Sequence, residues 1–242
     1  MPLKEKLFAI LRSPDFEQQM EAWDECPPSK IVSGLLAALY SGDEEIKWHA
    51  VTALGILTAR VAQTDLESAR NTLRRLIWSL NEGSGGIGWG SPEAIGEILA
   101  RQPSLAREYA AILVSYIRPG ENFLEFRPLQ RGALWAVGRL AGADSALVAS
   151  LGAGGLLHGY LHSPDPLVKG HALWAGARVG FEGNPAGVEA LLGEESEIRI
   201  YEDRKFRSVT IGELAREALE GVRESRPERD DIGPADPIPG NT

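Results

Sequence analysis

Three stretches of this 242-residue chain decide its fold: residues 46–55 read IKWHAVTALG, residues 129–138 read LQRGALWAVG, and residues 168–177 read VKGHALWAGA. The alanine at the fifth position of each stretch serves as an anchor. Equivalent anchors recur along the chain at Ala50, Ala94, Ala133, Ala172 and Ala215, with intervals of 44, 39, 39 and 43 residues. A repeat period in this range is typical of stacked helical hairpins, each of which needs its neighbours to bury a continuous core.

Each anchor marks an amphipathic helix. Apolar residues follow the first anchor at helical spacing, as Val51, Leu54 and Leu57, and form one buried stripe. A second apolar segment precedes each anchor helix, at residues 28–41, 64–80, 104–118, 153–162 and 184–192. The pattern predicts an all-α solenoid of about five helical pairs. We expect the small anchors to let neighbouring helix axes approach closely.

The repeat pattern also divides the chain into three parts. Residues 1–27 are expected to form capping helices, because the N-terminus has no separate apolar segment followed by a cleavage site. Residues 28–223 form the repeat solenoid. Residues 224–242 carry five acids, two arginines and four prolines, a composition that predicts a disordered acidic tail.

The repeated motif resembles a known family. A turn with Pro or Asp is followed by Val, Ile or Leu, then Lys or Arg, then two further residues, the anchor Ala and a Leu-Gly or Val-Gly pair. This order resembles HEAT-like (armadillo-like) repeats, especially the short type of the phycobilisome lyases, over about residues 28–223. The resemblance implies a right-handed α-solenoid, a concave face lined by the second helix of each pair, and a bacterial branch of the family. It does not carry function.

Composition limits the partners and the location. The net charge is −9, and the body stays acidic without its tail, which argues against a nucleic-acid partner. The longest apolar stretches, such as residues 31–40, are too short to cross a bilayer, so no membrane partner is expected. The single cysteine, Cys26, excludes an internal disulfide and favours a cytoplasmic location.

Three long connections interrupt the repeat at residues 81–90, 119–126 and 193–209. Each lies between the two helices of one pair, so all three are expected on one edge of the solenoid. We interpret this edge as a partner-binding surface. Its candidate residues are Asn81, Glu82, Ser84, Trp89, Phe123 and Tyr201, and we expect Trp89, Phe123 and Tyr201 to lie close together.

The connection at 81–90 reads NEGSGGIGWG and is rich in glycine. A helix N-terminus follows it and could favour an anion, but Glu82 and Glu93 would repel phosphate and no Lys-Ser or Lys-Thr pair follows. A P-loop or dinucleotide fingerprint is therefore excluded. Three readings remain open: a structural loop that packs Ile87 and Trp89 over the core, an anion site, and a loop that binds a partner or small ligand.

Residues 198–209 alternate in polarity on both sides of Asp203 and Arg204, which predicts a β-hairpin. Thr210 and Glu213 then form a capping box for the last helix. An isolated two-stranded hairpin is only marginally stable in water. It is expected either to cover the C-terminal repeat or to offer an edge strand to a partner.

Trp135 and Arg139 recur 39 residues later as Trp174 and Arg178. Residues four apart share a helix face, so these side chains, joined by Arg131, are predicted to form a ladder. Such a ladder suits an anionic or aromatic partner through cation–π and bidentate contacts. The alternative is structural, with each Trp buried between pairs and each Arg extending to solvent.

Catalytic and metal-binding patterns are missing. His158 and His162 are four apart, with Asp165 and His171 nearby, but none of these histidines is followed by Glu, as in the solenoid di-iron hydroxylases. We predict no metal, no cofactor and no enzyme activity.

The favoured function is a cytoplasmic scaffold that recognises a protein partner through its concave face and its insertion edge. The alternative is an accessory protein that handles a cofactor, small molecule or chromophore, as the resemblance to phycobilin lyases implies.

Overall fold

The computed structural model describes residues 2–23, 25–81 and 87–224. The chain begins with helices α1 (Leu3–Leu11) and α2 (Phe16–Gln19) and a 3-10 turn over Met20–Trp23. Helix α1 packs on the first helical pair. The imidazole of His49 stacks on Phe16 with 4.2 Å between the ring centroids, and the N-terminal segment is thereby attached to the repeats.

Five helical pairs follow. Their first helices are α3 (Pro28–Ala38), α5 (Leu66–Asn81), α7 (Pro103–Ser115), α9 (Ser145–Ser150) together with α10 (Ala153–Leu157), and α12 (Ala186–Glu189). Their second helices are α4 (Glu44–Ala62), α6 (Ser91–Arg101), α8 (Arg127–Ala141), α11 (Pro166–Val179) and α13 (Ile211–Glu224). Each second helix packs on the next one along the chain. The predicted all-α solenoid of about five pairs is confirmed.

The anchors occupy the interior of this stack. All five anchor alanines are fully buried. At the α6–α8 contact a glycine two residues beyond the anchor also permits close approach: a β-carbon built on Gly96 would come within 2.5 Å of the Ala136 Cα atom. How far the anchors themselves determine the helix spacing stays a prediction.

Local signals explain where the helices begin. The side chain of Asp43 accepts hydrogen bonds from the backbone N–H groups of Glu45 and Ile46 at the start of α4. Asp165 does the same for Leu167 and Val168 at the start of α11. Such side-chain acceptors satisfy N–H groups that have no partner within the helix. No helix within the described residues is long and apolar enough to cross a lipid bilayer.

The fourth and fifth pairs depart from the predicted helix lengths. The segment predicted as one helix over 153–162 is α10 followed by a 3-10 segment, His158–His162. The segment predicted over 184–192 contains only the four-residue α12. Glycine is a poor helix former, and Gly154, Gly155 and Gly159 fall in the first of these segments.

The predicted hairpin is present, with strands β1 (Glu197–Glu202) and β2 (Lys205–Thr210) paired antiparallel. Its two-residue loop holds Asp203 at φ 49° and Arg204 at φ 66°, as a type I′ turn requires. The capping box is also present. The backbone N–H of Thr210 donates to Glu213 Oε2 at 2.8 Å, and the N–H of Glu213 donates to Thr210 Oγ1 at 3.2 Å.

Candidate partner-binding surfaces

The hairpin lies across the concave face, which we define as the side of the stack formed by α4, α6, α8, α11 and α13. The Tyr201 ring stacks on Trp48 of the first pair, with 4.7 Å between centroids, and its hydroxyl is 3.3 Å from Thr52 Oγ1. At the tip, Arg204 forms an ion pair of 2.8 Å with Glu17. The hairpin therefore joins the fifth pair to the first pair and the N-terminal segment, and covers more than the last repeat.

An aromatic cluster lies beneath the hairpin. Trp135 contacts Trp48 edge-on at 4.7 Å and stacks on Trp174 at 6.0 Å with an interplanar angle of 8°. Trp135 Nε1 donates a hydrogen bond of 2.8 Å to the backbone oxygen of Tyr201. Trp135 and Trp174 are 2% exposed, and Tyr201 is 5% exposed. Their burial agrees with the structural alternative for the two tryptophans, and a partner can reach them only if the hairpin moves.

The predicted arginines are all engaged within the chain. The Arg178 guanidinium lies 3.8 Å above the Trp174 ring and forms an ion pair with Glu202. Arg139 pairs with Glu97, and Arg131 pairs with Asp165, each at 2.5 Å. Burial lowers the pKa of Arg178, and the charge of Glu202 opposes that shift. Trp135 and Trp174 therefore stack beneath the hairpin, and the three arginines, which are partly exposed, form ion pairs within the chain. The role of this ladder in partner binding stays a prediction.

Two glutamates of α6 are buried beside this cluster, each only 4% exposed. Glu93 pairs with Lys47 at 2.7 Å. Glu97 receives two guanidinium groups, from Arg101 and Arg139, each at 2.5 Å. A buried carboxylate is stable only when it is paired, and removing one partner of such a pair is strongly destabilising. These charges therefore hold α4, α6 and α8 in register.

Two cavities flank the hairpin. The tip cavity has a volume of about 300 Å³ and lies under the turn, between α6, α8 and α11. Its charged lining consists of Glu97, Arg101, Arg139, Arg178, Glu202, Asp203 and Arg204. The edge cavity has a volume of about 180 Å³ and is lined by aromatic residues that include Trp48, Trp89 and Phe206. Trp135 borders both cavities.

His171 lines the edge cavity and is 6% exposed. Its Nδ1 atom is buried and has no hydrogen-bond partner among the described residues. Burial, together with the positive charges of Lys47 and Arg131, lowers the pKa of His171 to about 3. The imidazole is therefore neutral at physiological pH.

The intra-pair edge is the side of the stack where the first helix of each pair connects to the second. All large hydrophobic side chains that are exposed within the described residues lie at these connections or within one turn of them: Tyr40, Trp78, Ile87, Trp89, Phe126 and Leu192. Trp78 is the most exposed, at 64%. Trp89 and Phe126, from neighbouring pairs, contact each other edge-on at 5.7 Å.

The remaining predicted residues are more scattered. Asn81 is exposed, and its Nδ2 donates to the Ile77 oxygen at 3.0 Å. Glu82 and Ser84 lie outside the described residues. Phe123 packs partly against the core, so the aromatic neighbour of Trp89 is Phe126.

The expected grouping of Trp89, Phe123 and Tyr201 stays a prediction. Trp89 lines the edge cavity and Tyr201 lines the tip cavity, but Tyr201 stacks on Trp48, which also lines the edge cavity. The described part of the glycine loop leaves its three interpretations open. Ile87 is 38% exposed and Trp89 is 36% exposed, so more than half of each side chain is covered.

The histidine group does not converge. His158 and His162 lie in a 3-10 segment, where side chains three apart eclipse, so a four-residue separation does not place them together. His158 packs at 5.0 Å from Phe181, and Asp165 is paired with Arg131. Among the described residues, no group of three or more His, Cys, Asp or Glu side chains could hold a metal ion.

For several residues of these surfaces, the sequence does not predict the contacts that the structure shows. Trp48, Glu93, Glu97 and His171 lie within three residues of an anchor, next to its apolar stripe. The sequence signal that could have identified these four residues is a polar or aromatic side chain next to the buried apolar stripe. Trp78 and Phe126 lack such a signal, because exposure at a helix end depends on the neighbouring pairs.

The stacked pairs and their continuous inner face define an armadillo-like helical-repeat protein. The fold is similar to the designed armadillo repeat protein YIII(Dq)4CqI, with a TM-score of 0.53 and 19% identity over 91% of this chain and 100% of that one. It is also similar to the designed armadillo repeat protein YIII(Dq.V1)4CPAF, solved in complex with the peptide (KR)4, with a TM-score of 0.54 and 18% identity over the same shares.

An engineered protein matches with a TM-score of 0.50 and 19% identity, over 93% of this chain and 98% of that one. No family model matches the sequence, and no curated protein matches it. At these identities the likeness shows the fold. The phycobilisome-lyase type of the resemblance and its bacterial branch stay predictions.

Proposed function

We propose that this protein is a non-catalytic scaffold that binds a protein partner at its intra-pair edge. The observation that carries the proposal is the placement of the large exposed hydrophobic residues, which within the described part of the chain all fall on that edge. Exposed apolar patches mark interaction sites in soluble proteins. Aromatic residues supply much of the binding energy at such interfaces.

The geometry of the edge supports a continuous contact over the first three pairs. Tyr40 and Trp78 line one shallow cavity, which joins the first and second pairs. Trp89 and Phe126 continue the surface to the third pair. One of the designed repeat proteins of similar fold was solved with a bound peptide, which favours a protein partner for this chain as well.

The concave face contributes less to this proposal, because the hairpin covers its tryptophans. We place the scaffold in the cytoplasm, in keeping with its single cysteine. Handling of a chromophore, the alternative drawn from the resemblance, stays a prediction that a coloured purified protein would support.

Site-specific crosslinking in the native cell tests the proposal. A photoreactive phenylalanine is introduced in place of Trp78 or Phe126, and in place of Thr64 as the control. Thr64 is exposed at the opposite edge, between α4 and α5. We expect one discrete crosslinked protein from positions 78 and 126, and none from position 64. Equal crosslinking from all three positions would remove the support for this edge.

Alanine substitution of the same two aromatic residues provides a second test of the proposal. For this test the photoreactive phenylalanine replaces Trp89. Trp78→Ala and Phe126→Ala should each lower the yield of the partner crosslinked at position 89 at least about tenfold, the equivalent of roughly 1.4 kcal/mol. Their melting temperatures should stay within a few degrees of the wild type, because exposed side chains contribute little to packing. Thr64→Ala should change neither quantity. A large melting loss with unchanged partner yield would show that these aromatics are structural.

A further inference from the structure

The edge cavity lies where four of the second helices begin. Its lining includes Glu44 of α4, Glu93 of α6, Pro128 of α8 and Leu167 of α11, each within the first three residues of its helix. Helix N-termini carry partial positive charge and favour anions. No side chain caps α6 or α8. A helix end alone does not make a site, so the other groups of the cavity decide what it can bind.

Aromatic side chains form much of the cavity wall. Trp48, Trp89 and Phe206 belong to the lining, and the volume is about 180 Å³. Apolar cavities of about 150 Å³ bind benzene, so the edge cavity has room for one ring with a small substituent. Lys47 Nζ lies 5.1 Å from the centroid of the Trp48 ring, and the Arg199 guanidinium lies 4.1 Å from that of Phe206. Because the chain's own cations already occupy these rings, a cationic ligand is disfavoured.

Two cations of the lining keep hydrogen-bond donors for a ligand. Lys47 Nζ donates to Glu93 at 2.7 Å, and an ammonium group has three N–H donors. Arg131 binds Asp165 through Nε and Nη2, which leaves Nη1 without a partner within the described part of the chain. The cavity therefore offers N–H groups of positively charged side chains beside its aromatic wall.

His171 is the third polar group that lacks a partner. It lines the cavity and is 6% exposed, and its Nδ1 has no hydrogen-bond partner among the described residues. A buried polar atom without a partner costs free energy, and a ligand that brings a polar atom to the imidazole would remove this cost. Burial lowers the pKa of His171 most, and among the charges Lys47 and Arg131 each act more strongly than Asp165, which raises it. The electrostatic potential at the imidazole is therefore positive.

The two carboxylates of the lining do not oppose an anion strongly. Glu93 is neutralised by Lys47, and its carboxylate is turned towards the backbone of α8. A β-carbon built on Gly132 would lie 2.4 Å from Glu93 Oε2. Glu44 is exposed and pairs with Arg199 at 3.3 Å, so solvent and its partner screen its charge.

We propose that the edge cavity binds a small aromatic acid, a molecule of one ring and one carboxylate. The ring packs between the aromatic walls. The carboxylate accepts hydrogen bonds from Lys47, Arg131 and the imidazole of His171. This site does not depend on the proposed partner-binding surface, because Trp78 and Phe126 do not line the cavity.

The probe is 4-fluorobenzoate, followed by fluorine NMR as it is titrated with the purified full chain. We expect saturable binding at millimolar or lower concentrations. Two probes of similar shape, the neutral 4-fluorobenzamide and the cationic 4-fluorobenzylammonium, should bind at least about tenfold more weakly. Cyclohexanecarboxylate should displace 4-fluorobenzoate at least about tenfold less effectively than benzoate does. Equal affinity of the acid and the amide, or no saturable binding of the acid, would overturn the proposal.

Protein variants locate the site. Trp89→Ala and His171→Leu should each weaken the binding of 4-fluorobenzoate at least about tenfold. The matched controls are Trp78→Ala and His162→Gln, which alter exposed residues outside the cavity and should leave the affinity unchanged. If circular dichroism shows that His171→Leu does not fold, Trp89→Ala decides, because Trp89 is 36% exposed.

Unchanged affinity in the folded lining variants, or equal losses in these variants and in the controls, would also contradict the site. Partner crosslinking at positions 78 and 126 is measured in the cell without this probe. Failure of the small-ligand site and failure of the partner-binding surface are therefore distinguishable.

Discussion

At the scale of single residues, the concave face is organised by buried polar groups with defined partners. Glu93 and Glu97 point inward from α6 and are neutralised by Lys47, Arg101 and Arg139. His171 differs from them because its Nδ1 has no partner among the described residues. Its neutral form is maintained by burial and by the nearby cations, which makes it the pH-sensitive residue of this face.

The depressed pKa of His171 predicts a loss of stability in acid. The folded-state pKa is about 3, whereas the unfolded value is about 6.5. Between these values the unfolded chain binds the proton more readily, so stability falls as the pH decreases from about 6.5 towards 3. From pH 7 to pH 5 the wild type should lose on the order of 1–2 kcal/mol more than His171→Gln.

Urea denaturation of both proteins at the two pH values measures this difference. His162→Gln is the control, because His162 is exposed. Parallel losses in the wild type and in His171→Gln would show that the buried imidazole does not control the acid sensitivity.

At the scale of elements, the second helices stack more closely than the first helices because small residues meet between them. Gly96 of α6 faces Ala136 of α8, and Gly138 of α8 faces Ala175 of α11. Close backbone approach brings the side chains of successive helices together. This approach places Trp135 and Trp174, from neighbouring helices, in a parallel stack.

Gly96→Ala should therefore destabilise the protein. The added methyl group would overlap backbone atoms of Ala136, and overpacking of this kind typically costs about 1–3 kcal/mol. Gly155→Ala is the control, because Gly155 is an exposed helical residue whose only close neighbour is the end of the Glu182 side chain. Thermal unfolding should show a lower midpoint for Gly96→Ala and an equal or higher one for Gly155→Ala. Equal midpoints for Gly96→Ala and wild type would contradict the packing argument.

At the scale of the whole molecule, the hairpin changes how the repeats cooperate. In an open solenoid each repeat contacts only its neighbours, and stability is close to a sum of local terms. Here the hairpin of the fifth pair contacts Trp48 and Thr52 in the first pair and Glu17 before it. The two ends of the stack are thereby coupled across the concave face.

Tyr201→Ala should uncouple the two ends of the repeat stack. Amide hydrogen exchange in the native state should become faster by about tenfold or more in both the hairpin and α4, because the contacts to Trp48 and Thr52 are lost. Exchange in α7, which does not contact the hairpin side chains, should stay unchanged. Glu197→Gln provides the control, because it removes an exposed carboxylate from the other end of the same strand. Faster exchange confined to the hairpin would show that it does not stabilise the first pair.

Much of this architecture could be predicted from sequence, because it depends on local patterns. The spacing of Ala50, Ala133 and Ala172 predicts the second helices, and their apolar stripe predicts which side is buried. Polarity alternation around Asp203 and Arg204 predicts the hairpin and its turn. These features follow from the helical and strand periods and from turn chemistry, which act over a few residues.

Only the tertiary structure decided where the hairpin lies and what it covers. The hydroxyls of Thr52 and Tyr201 meet although they are 149 residues apart in sequence, and no local period encodes such a contact. The same holds for Trp135 and Trp174, whose repeat is visible in the sequence but whose burial depends on a strand from the last pair. The separation of an open edge from a covered concave face therefore arises from the stacking geometry of the five pairs.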